Sequence, residues 1–220
     1  MTPVLRLLAA MSAGLPLIFA DCAHADDSAA YTNFLNDPSL RQNIINAAAR
    51  STVMLQNPCA EAEYRVGTSP LVFKPMAFDS SGGPVAGLLK YPVKEDGCGV
   101  TRSLNVFVVV QGPRQVGAIP FLPGSTRADP TLQKDAVQYA AGWAVALVGK
   151  NEECKVKYFA DTEFVEQETP APDAKAPAWR ERWTMIQCNK KLTIPLRFIP
   201  DATGTQIAAG GPGGGVEDLK

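Results

Sequence analysis

The 220-residue sequence contains a single histidine, His24, and nearly equal numbers of basic and acidic side chains. With 21 Lys and Arg against 22 Asp and Glu, it lacks the basic surplus on which non-specific nucleic-acid binding depends. The single histidine limits acid–base catalysis by the commonest general base and limits zinc or copper binding, for which histidine is a common ligand. Apolar residues nevertheless make up 46% of the chain, which is enough to build a core and argues against disorder.

Residues 1–25 have the pattern of a secretory signal peptide. Arg6 supplies the positive charge, residues 7–20 form an apolar run, and Ala23-His24-Ala25 is a small-x-small cleavage site. Because this run would span about 21 Å as a helix, less than the roughly 30 Å hydrocarbon core of a bilayer, we expect cleavage rather than retention. No later stretch is long and apolar enough to cross a membrane, so no retained transmembrane helix is predicted.

Cleavage after Ala25 would change the chemistry of the mature chain. It would remove His24, and with it all histidine chemistry, and it would remove Cys22, which leaves four cysteines. Cys22 could instead carry a lipid as in lipoproteins, but the charged Asp21 before it fits that signal poorly. An even number of cysteines in an exported chain indicates two disulfides and a periplasmic or secreted location.

The four remaining cysteines can pair in three ways. We favour the pairs Cys59–Cys98 and Cys154–Cys188, because each pair joins neighbouring β-rich segments. None of the four stands in a Cys-x-x-Cys spacing, which favours structural bridges over a redox role. Without histidine and with its cysteines paired, the mature chain offers no usual zinc or copper ligands, and neither a metal nor another cofactor is predicted.

The pattern of elements predicts an α+β fold, mainly antiparallel sheet with two short helices and two disulfides. The same helix-start signal occurs at Asp37–Leu40 and at Asp129–Leu132, where the aspartate can cap the helix and proline suits its first turn. We expect these helices to end near Asn57 and near Trp143. Apolar, β-branched and aromatic runs predict strands within residues 64–78, 85–91, 104–110, 115–121, 143–148, 155–164, 179–188 and 192–199.

The chain is predicted to divide into a signal peptide (1–25), an N-terminal helical segment (26–57), a disulfide-linked α+β domain (58–209) and a glycine-rich tail (210–220). The tail contains five glycines and one proline without a core-forming pattern, so we expect it to be disordered. Residues 166–178 are rich in proline, alanine and charge, which is typical of a long solvated loop.

Carboxylates are the one route to acid–base catalysis that the composition leaves open. Asp161 and Glu163 are two residues apart on a predicted strand, so they share a face. Glu181 shares a face with Trp179 and Trp183, and aromatic neighbours can raise the pKa of a carboxyl group or stack against a sugar. A carboxylate-dependent glycan hydrolase would need Glu181 and one of the other two in one cleft, roughly 5–9.5 Å apart.

The same segment also supports non-catalytic interpretations. Trp179 and Trp183 could form an aromatic binding surface, with Arg180 and Arg182 on the opposite face of the strand. Alternatively, Glu181 pairs with an arginine of a neighbouring strand while the tryptophans pack in the core. A third hypothesis is a carrier of a small apolar ligand, which would need an enclosed apolar cavity of about 300 Å³ or more.

A series of glycine, apolar and helix-type positions runs through residues 91–143: Tyr91-Pro92, Gly97, Gly99, Val106–Val110, Gly112, Val116, Gly124-Ser125, Leu132, Asp135-Ala136, Ala140 and Trp143. In this order the segment resembles the C-terminal domain of TonB-type proteins. The resemblance implies a β-β-α-β unit in the periplasm that recognises a partner peptide by adding a strand at a sheet edge. The chain lacks the long proline-rich spacer of that family and carries two predicted disulfides, so the coupling role of TonB is not implied.

These observations together predict an exported protein that binds rather than catalyses, and the chain as a whole resembles exported bacterial proteins. Its contact surface would be a sheet edge or the face of Trp179 and Trp183. The expected partner is a periplasmic or outer-membrane protein, and no nucleic-acid partner is expected. The glycan hydrolase and the carrier of a small apolar ligand remain the alternatives.

Overall fold

The computed structural model describes residues 25–54, 59–113, 115–149, 154, 156–170 and 176–219. These residues form two five-stranded antiparallel sheets and three helices, which confirms a sheet-rich fold that contains helices. The helices are α1 (Ala25–Leu35), α2 (Pro38–Met54) and α3 (Pro130–Val148). The predicted signal peptide, with Cys22 and His24, lies outside the described residues except for Ala25.

The first sheet contains β1 (Glu63–Val66), β2 (Leu71–Phe78), β3 (Pro84–Gly97), β4 (Val100–Val110) and β5 (Val116–Phe121). Its centre is the long β3–β4 hairpin, and β1 and β2 pair with different parts of the remaining edge of β3. Helix α2 packs on this sheet because Leu40, Ile44 and Ala47, at helical spacing, form one buried stripe. Leu89 and Val106 lie opposite them in the same core.

The second sheet contains β6 (Lys157–Gln167), β7 (Trp179–Gln187), β8 (Lys190–Pro200), β9 (Thr205–Ala209) and β10 (Gly215–Asp218). Here β7 and β8 form the central hairpin, and β9 and β10 share the remaining edge of β8. The small residues Ala136, Ala140 and Ala144 of α3 pack in one core with Trp183 and Phe198 of this sheet. Small side chains on the helix leave room for these large aromatic rings.

The two halves of the molecule repeat one arrangement of helix, cysteine and hairpin. In each half a cysteine follows the helix and a second cysteine lies in the turn of the central hairpin. Disulfides join Cys59 to Cys98 and Cys154 to Cys188, the pairs that we favour from the sequence. Both turn cysteines have a positive φ, 48° at Cys98 and 56° at Cys188, a conformation more typical of glycine and asparagine. Each disulfide therefore ties the chain after a helix to the end of a hairpin.

The linker between the halves, residues 122–129, forms hydrogen bonds with both sheets. Its Gly124 N–H donates to the Ser103 carbonyl at 2.8 Å, and Asn105 Nδ2 donates to the carbonyls of Leu122 and Gly124. On the other side, a Cβ added at Gly124 would lie 2.1 Å from the Thr162 carbonyl oxygen. Only glycine permits this close approach, so Gly124 fixes the linker against β6.

One predicted boundary is wrong because long-range packing overrides local pattern, and the predicted number of helices also differs. The predicted strand over residues 143–148 is the last part of α3, whose Leu147 and Val148 continue its packed face. The predicted number of helices is also too low, since α1 precedes α2 within the helical segment 26–57. The elements β4, β5, α3 and β6 follow the order β-β-α-β, but β6 belongs to the second sheet, so a TonB-like unit stays a prediction.

The glycine-rich tail is not the disordered segment that its composition predicts. Residues 215–218 form β10, which pairs with residues 190–193 of β8. Gly210 has a φ of 103°, and a Cβ added there would lie 2.8 Å from the Trp143 ring. The glycines thus permit a tight connection between two strands. Of the predicted loop 166–178, residues 166 and 167 belong to β6 and residues 171–175 lie outside the described part of the chain.

Candidate functional site

Glu181 lies in the core of the second half rather than in an open cleft. It is 1% exposed and is the third residue of β7. Its Oε1 accepts hydrogen bonds from Trp179 Nε1 at 2.9 Å and from the Arg127 backbone N–H at 2.8 Å. Its Oε2 accepts one from Trp183 Nε1 at 2.8 Å. Both carboxylate oxygens are therefore occupied by donors of the protein itself.

Lys90 of β3 is a buried cation on which the charge of this carboxylate acts. Lys90 is 7% exposed, and its Nζ donates to the Thr126 carbonyl. Burial lowers the pKa of Lys90, and the charge of Glu181 acts in the opposite direction. Thr126 C=O and Arg127 N–H belong to one peptide unit, which we call the 126–127 peptide. A lysine of the first sheet and a glutamate of the second thus bind opposite ends of the same main-chain dipole.

Asp161 and Glu163 lie on the other face of the second sheet. The register pairs Glu163 with Arg182, whereas Phe164 pairs with Glu181. Residues that are directly paired across two strands share a face, and consecutive residues alternate between faces. Glu163 and Asp161 are therefore separated from Glu181 by the sheet. These residues do not form the pair of facing carboxylates that glycan hydrolysis requires.

Trp179 and Trp183 do not form an exposed aromatic surface. Trp183 is fully buried, and Trp179 stacks on Phe198 with 4.9 Å between ring centroids. Arg180 and Arg182 lie on the opposite face of β7, as the alternation predicts, and form ion pairs with glutamates of β6 and of the segment that follows it. The aromatic pair belongs to the core, and the arginines are held by acidic neighbours.

A cleft of about 390 Å³ opens where α2, the end of β5, the linker, α3 and the start of β6 meet. We call it the junction cleft. Its apolar walls are formed by Pro120, Phe121, Leu122, Pro123, Val137, Tyr158 and Phe159. Its polar lining residues are Ser51, Gln133, Lys134 and Lys157. A concave, mainly apolar site of this volume with few polar groups is typical of small-molecule binding.

The polar side chains of the junction cleft are incompletely satisfied. Gln133 is 1% exposed, and its Nε2 donates to the Ala128 carbonyl at 2.8 Å, but its Oε1 has no hydrogen-bond partner among the described residues. Such a buried acceptor costs about 1–3 kcal/mol. Lys134 and Lys157 are exposed, and within the described ranges neither forms an ion pair. No acidic residue in the described part of the chain lines this cleft.

Sequence reasoning missed the junction cleft because its walls come from four separate parts of the chain, from Ser51 to Phe159. One local signal does exist. Residues 120–123 read Pro-Phe-Leu-Pro, an apolar segment in which the prolines have no N–H for strand pairing. Pro120 and Phe121 end the edge strand β5, and the apolar residues that follow them are left to line a cavity or an interface.

Comparisons with known proteins do not assign the chain to a family. No protein-family description, curated protein or solved structure matches it. Among the residues that the structure describes, no group of three or more metal-ligating side chains could hold an ion. None of the described helices has the length and apolar character needed to cross a membrane. The partner expected at a sheet edge from the TonB-like resemblance stays a prediction.

We expect the free energy of unfolding to fall as the pH drops below about 4.5. Hydrogen bonds from Arg197, and then from Arg180, lower the pKa of Glu168 from 4.5 to about 2. Hydrogen bonds led by the Thr203 hydroxyl lower the pKa of Asp201 from 3.8 to about 2. A carboxyl group with a lower pKa in the folded state stabilises the fold above its unfolded pKa, and this stabilisation is lost as the pH falls towards its folded pKa.

This pH dependence can be measured by urea unfolding at several pH values between about 4.5 and 2. The variant Glu168→Gln should show a shallower loss of stability over this interval than the unmodified chain. Glu166→Gln is the matched control, because Glu166 lies at 3.5 Å from Arg180 and is largely exposed. If the free energy of unfolding fell equally steeply with pH in Glu168→Gln and in the unmodified chain, the assignment of this pH dependence to Glu168 would be contradicted.

Proposed function

We propose that this chain is a non-catalytic binding protein of the periplasm or another oxidising compartment, and that the junction cleft holds a small, mainly apolar ligand. The observation that carries the proposal is the combination of apolar walls, a volume of about 390 Å³ and an unpaired amide oxygen at Gln133. Apolar walls supply affinity through the burial of ligand surface, and a few polar groups orient the ligand.

The hydrogen bonding and placement of the candidate acid–base groups favour binding over catalysis. Glu181 accepts three hydrogen bonds in the core, so it is held as a structural acceptor. Asp161 and Glu163 lie on the opposite face of that sheet. The two disulfides fit an oxidising compartment, since such bonds persist mainly in exported proteins.

The junction cleft has the volume expected of a carrier, although it is open at the surface rather than enclosed. Its walls come from both halves, and the halves are joined there by the hydrogen-bonded linker and by the buried contacts of the 126–127 peptide. A cleft whose walls are already in place loses little conformational entropy when a ligand enters. The proposed ligand is therefore bound in a largely preformed site.

The proposal is tested with N-phenylnaphthylamine, a neutral apolar probe whose fluorescence rises when it leaves water. We expect saturable binding to the full, disulfide-bonded chain. Val137→Phe should weaken this binding by about tenfold or more, because the larger ring occupies the cleft. Val145→Phe is the matched control on the same helix, since Val145 is 42% exposed and does not line the cleft.

Two outcomes would contradict the proposal. One is the absence of saturable binding by the unmodified chain, and the other is equal binding by the Val137→Phe and Val145→Phe variants. Near-ultraviolet circular dichroism of each variant confirms that its side chains are still packed, because loosely packed states also bind apolar probes.

A further inference from the structure

Among the described residues, the positive charge that lines the junction cleft has no acidic partner. Lys134 and Lys157 line it, neither forms an ion pair with a described residue, and no carboxylate shares the lining. Elsewhere on the second sheet, lysines are matched with acids: Lys190 Nζ lies 2.7 Å from Asp218, and Lys191 Nζ lies 3.4 Å from its own glutamate partner. The chain as a whole has a net charge of -1, so this local excess is not a general property of the molecule.

The two lysines enter the junction cleft from different elements. Lys134 follows Gln133 on α3, and Lys157 is the first residue of β6, next to the aromatic wall of Tyr158 and Phe159. An acid placed between the lysines would leave its apolar body free to contact that wall. Long lysine side chains can reach such a group while their ammonium ends stay in water.

Gln133 calls for a hydrogen-bond donor on the ligand, whereas the two lysines call for an acidic group. No described residue donates a hydrogen bond to its buried Oε1, whereas its Nε2 already donates to the Ala128 carbonyl of the linker. A ligand that supplies an N–H or O–H donor next to its apolar body would satisfy this oxygen. The site therefore combines apolar walls, an acceptor beside them and two cations.

We propose that the junction cleft selects amphipathic anions: apolar molecules that carry an acidic group for Lys134 and Lys157 and a hydrogen-bond donor for Gln133. This inference rests on the proposed function, because it specifies the ligand class of the same cleft. The charge of the ligand, rather than its apolar surface alone, then distinguishes ligands from other apolar molecules.

A matched pair of probes separates charge from apolar surface. Anilinonaphthalenesulfonate is N-phenylnaphthylamine with an added sulfonate, and both carry the same bridging N–H. We expect the sulfonate to bind about tenfold more tightly than the neutral probe, the size of one charge-assisted hydrogen bond. The double variant Lys134→Gln/Lys157→Gln should lose this preference and keep its affinity for the neutral probe. Lys190→Gln/Lys191→Gln is the control and should keep the preference, because those lysines face acids outside the cleft.

The outcomes distinguish this inference from the proposed function. Equal binding of the two probes by the unmodified chain would overturn the selection of anions while the binding function stands. A preference that persists in Lys134→Gln/Lys157→Gln would also overturn it, because the charge would then be recognised elsewhere. If neither probe binds saturably, both proposals fail.

The variant Gln133→Met should weaken the binding of both probes to the same extent. Unchanged affinity for both probes would show that Gln133 does not contribute to the site.

Discussion

Replacing Glu181 by glutamine is expected to lower the free energy of unfolding by about 3–5 kcal/mol, because it disturbs buried hydrogen bonds to a carboxylate and removes the negative charge that acts on the buried Lys90. The carboxylate accepts from the indole N–H groups of Trp179 and Trp183 and from the Arg127 N–H. A glutamine side chain offers only one oxygen, so an amide NH₂ group must face at least one of these donors. The substitution also leaves Lys90 without a compensating negative charge.

This expectation is tested by urea unfolding and a double-mutant cycle with Lys90→Met. The double variant should be more stable than the sum of the single effects implies, by about 1–3 kcal/mol, because it no longer contains an unpaired buried ammonium group. Glu163→Gln is the control, since that glutamate pairs with Arg182 on the exposed face and should cost no more than about 1 kcal/mol. Additive single effects, within about 0.5 kcal/mol, would show that the 126–127 peptide does not couple the two charges.

Removing either disulfide is expected to cost up to about 4 kcal/mol, the loop-entropy value for closed loops of this length. The Cys59–Cys98 bond spans 39 residues and the Cys154–Cys188 bond spans 34, so the two losses should be similar. The variants Cys59→Ala/Cys98→Ala and Cys154→Ala/Cys188→Ala are compared with the unmodified chain by denaturant unfolding without reductant.

The positive φ at the turn cysteines provides a control for this measurement. Alanine at position 98 keeps the strained left-handed conformation, whereas glycine adopts it freely. Cys59→Ala/Cys98→Gly should therefore be about 1 kcal/mol more stable than Cys59→Ala/Cys98→Ala, although both lack the bond. A loss below about 1 kcal/mol in every disulfide variant would contradict a stabilising role for the bonds.

The features that the sequence predicts well are those encoded by local pattern. The helix start at Asp129 is confirmed, since its carboxylate accepts from the Leu132 N–H at 2.9 Å. The central strand β7 alternates buried and exposed residues along Trp179–Gln187, as its sequence predicts. The two disulfides join the pairs of cysteines that the spacing of β-rich segments favours.

The features that the sequence did not predict depend on partners far away in the chain. Residues 143–148 are all apolar and include two valines, and a run of this kind is ambiguous between a buried helix and a strand until its packing is known. Strand β10 forms because part of the edge of β8 is left open by β9. The role of Glu181 as a buried hydrogen-bond acceptor depends on the linker, which places the Arg127 N–H over β7. This contact joins residues that are 54 positions apart in the sequence.

The contact between the halves through the 126–127 peptide has a consequence for mutational tolerance. Its donor and acceptor are main-chain atoms, so most substitutions at Arg127 exchange a side chain and leave the N–H that Glu181 binds. Proline is the exception, because it has no N–H to donate. Such substitutions lose the side-chain contacts of Arg127 with Gln167 and with the Phe164 ring, but they retain the main-chain contacts of the junction as long as Lys90 and Glu181 stay in place.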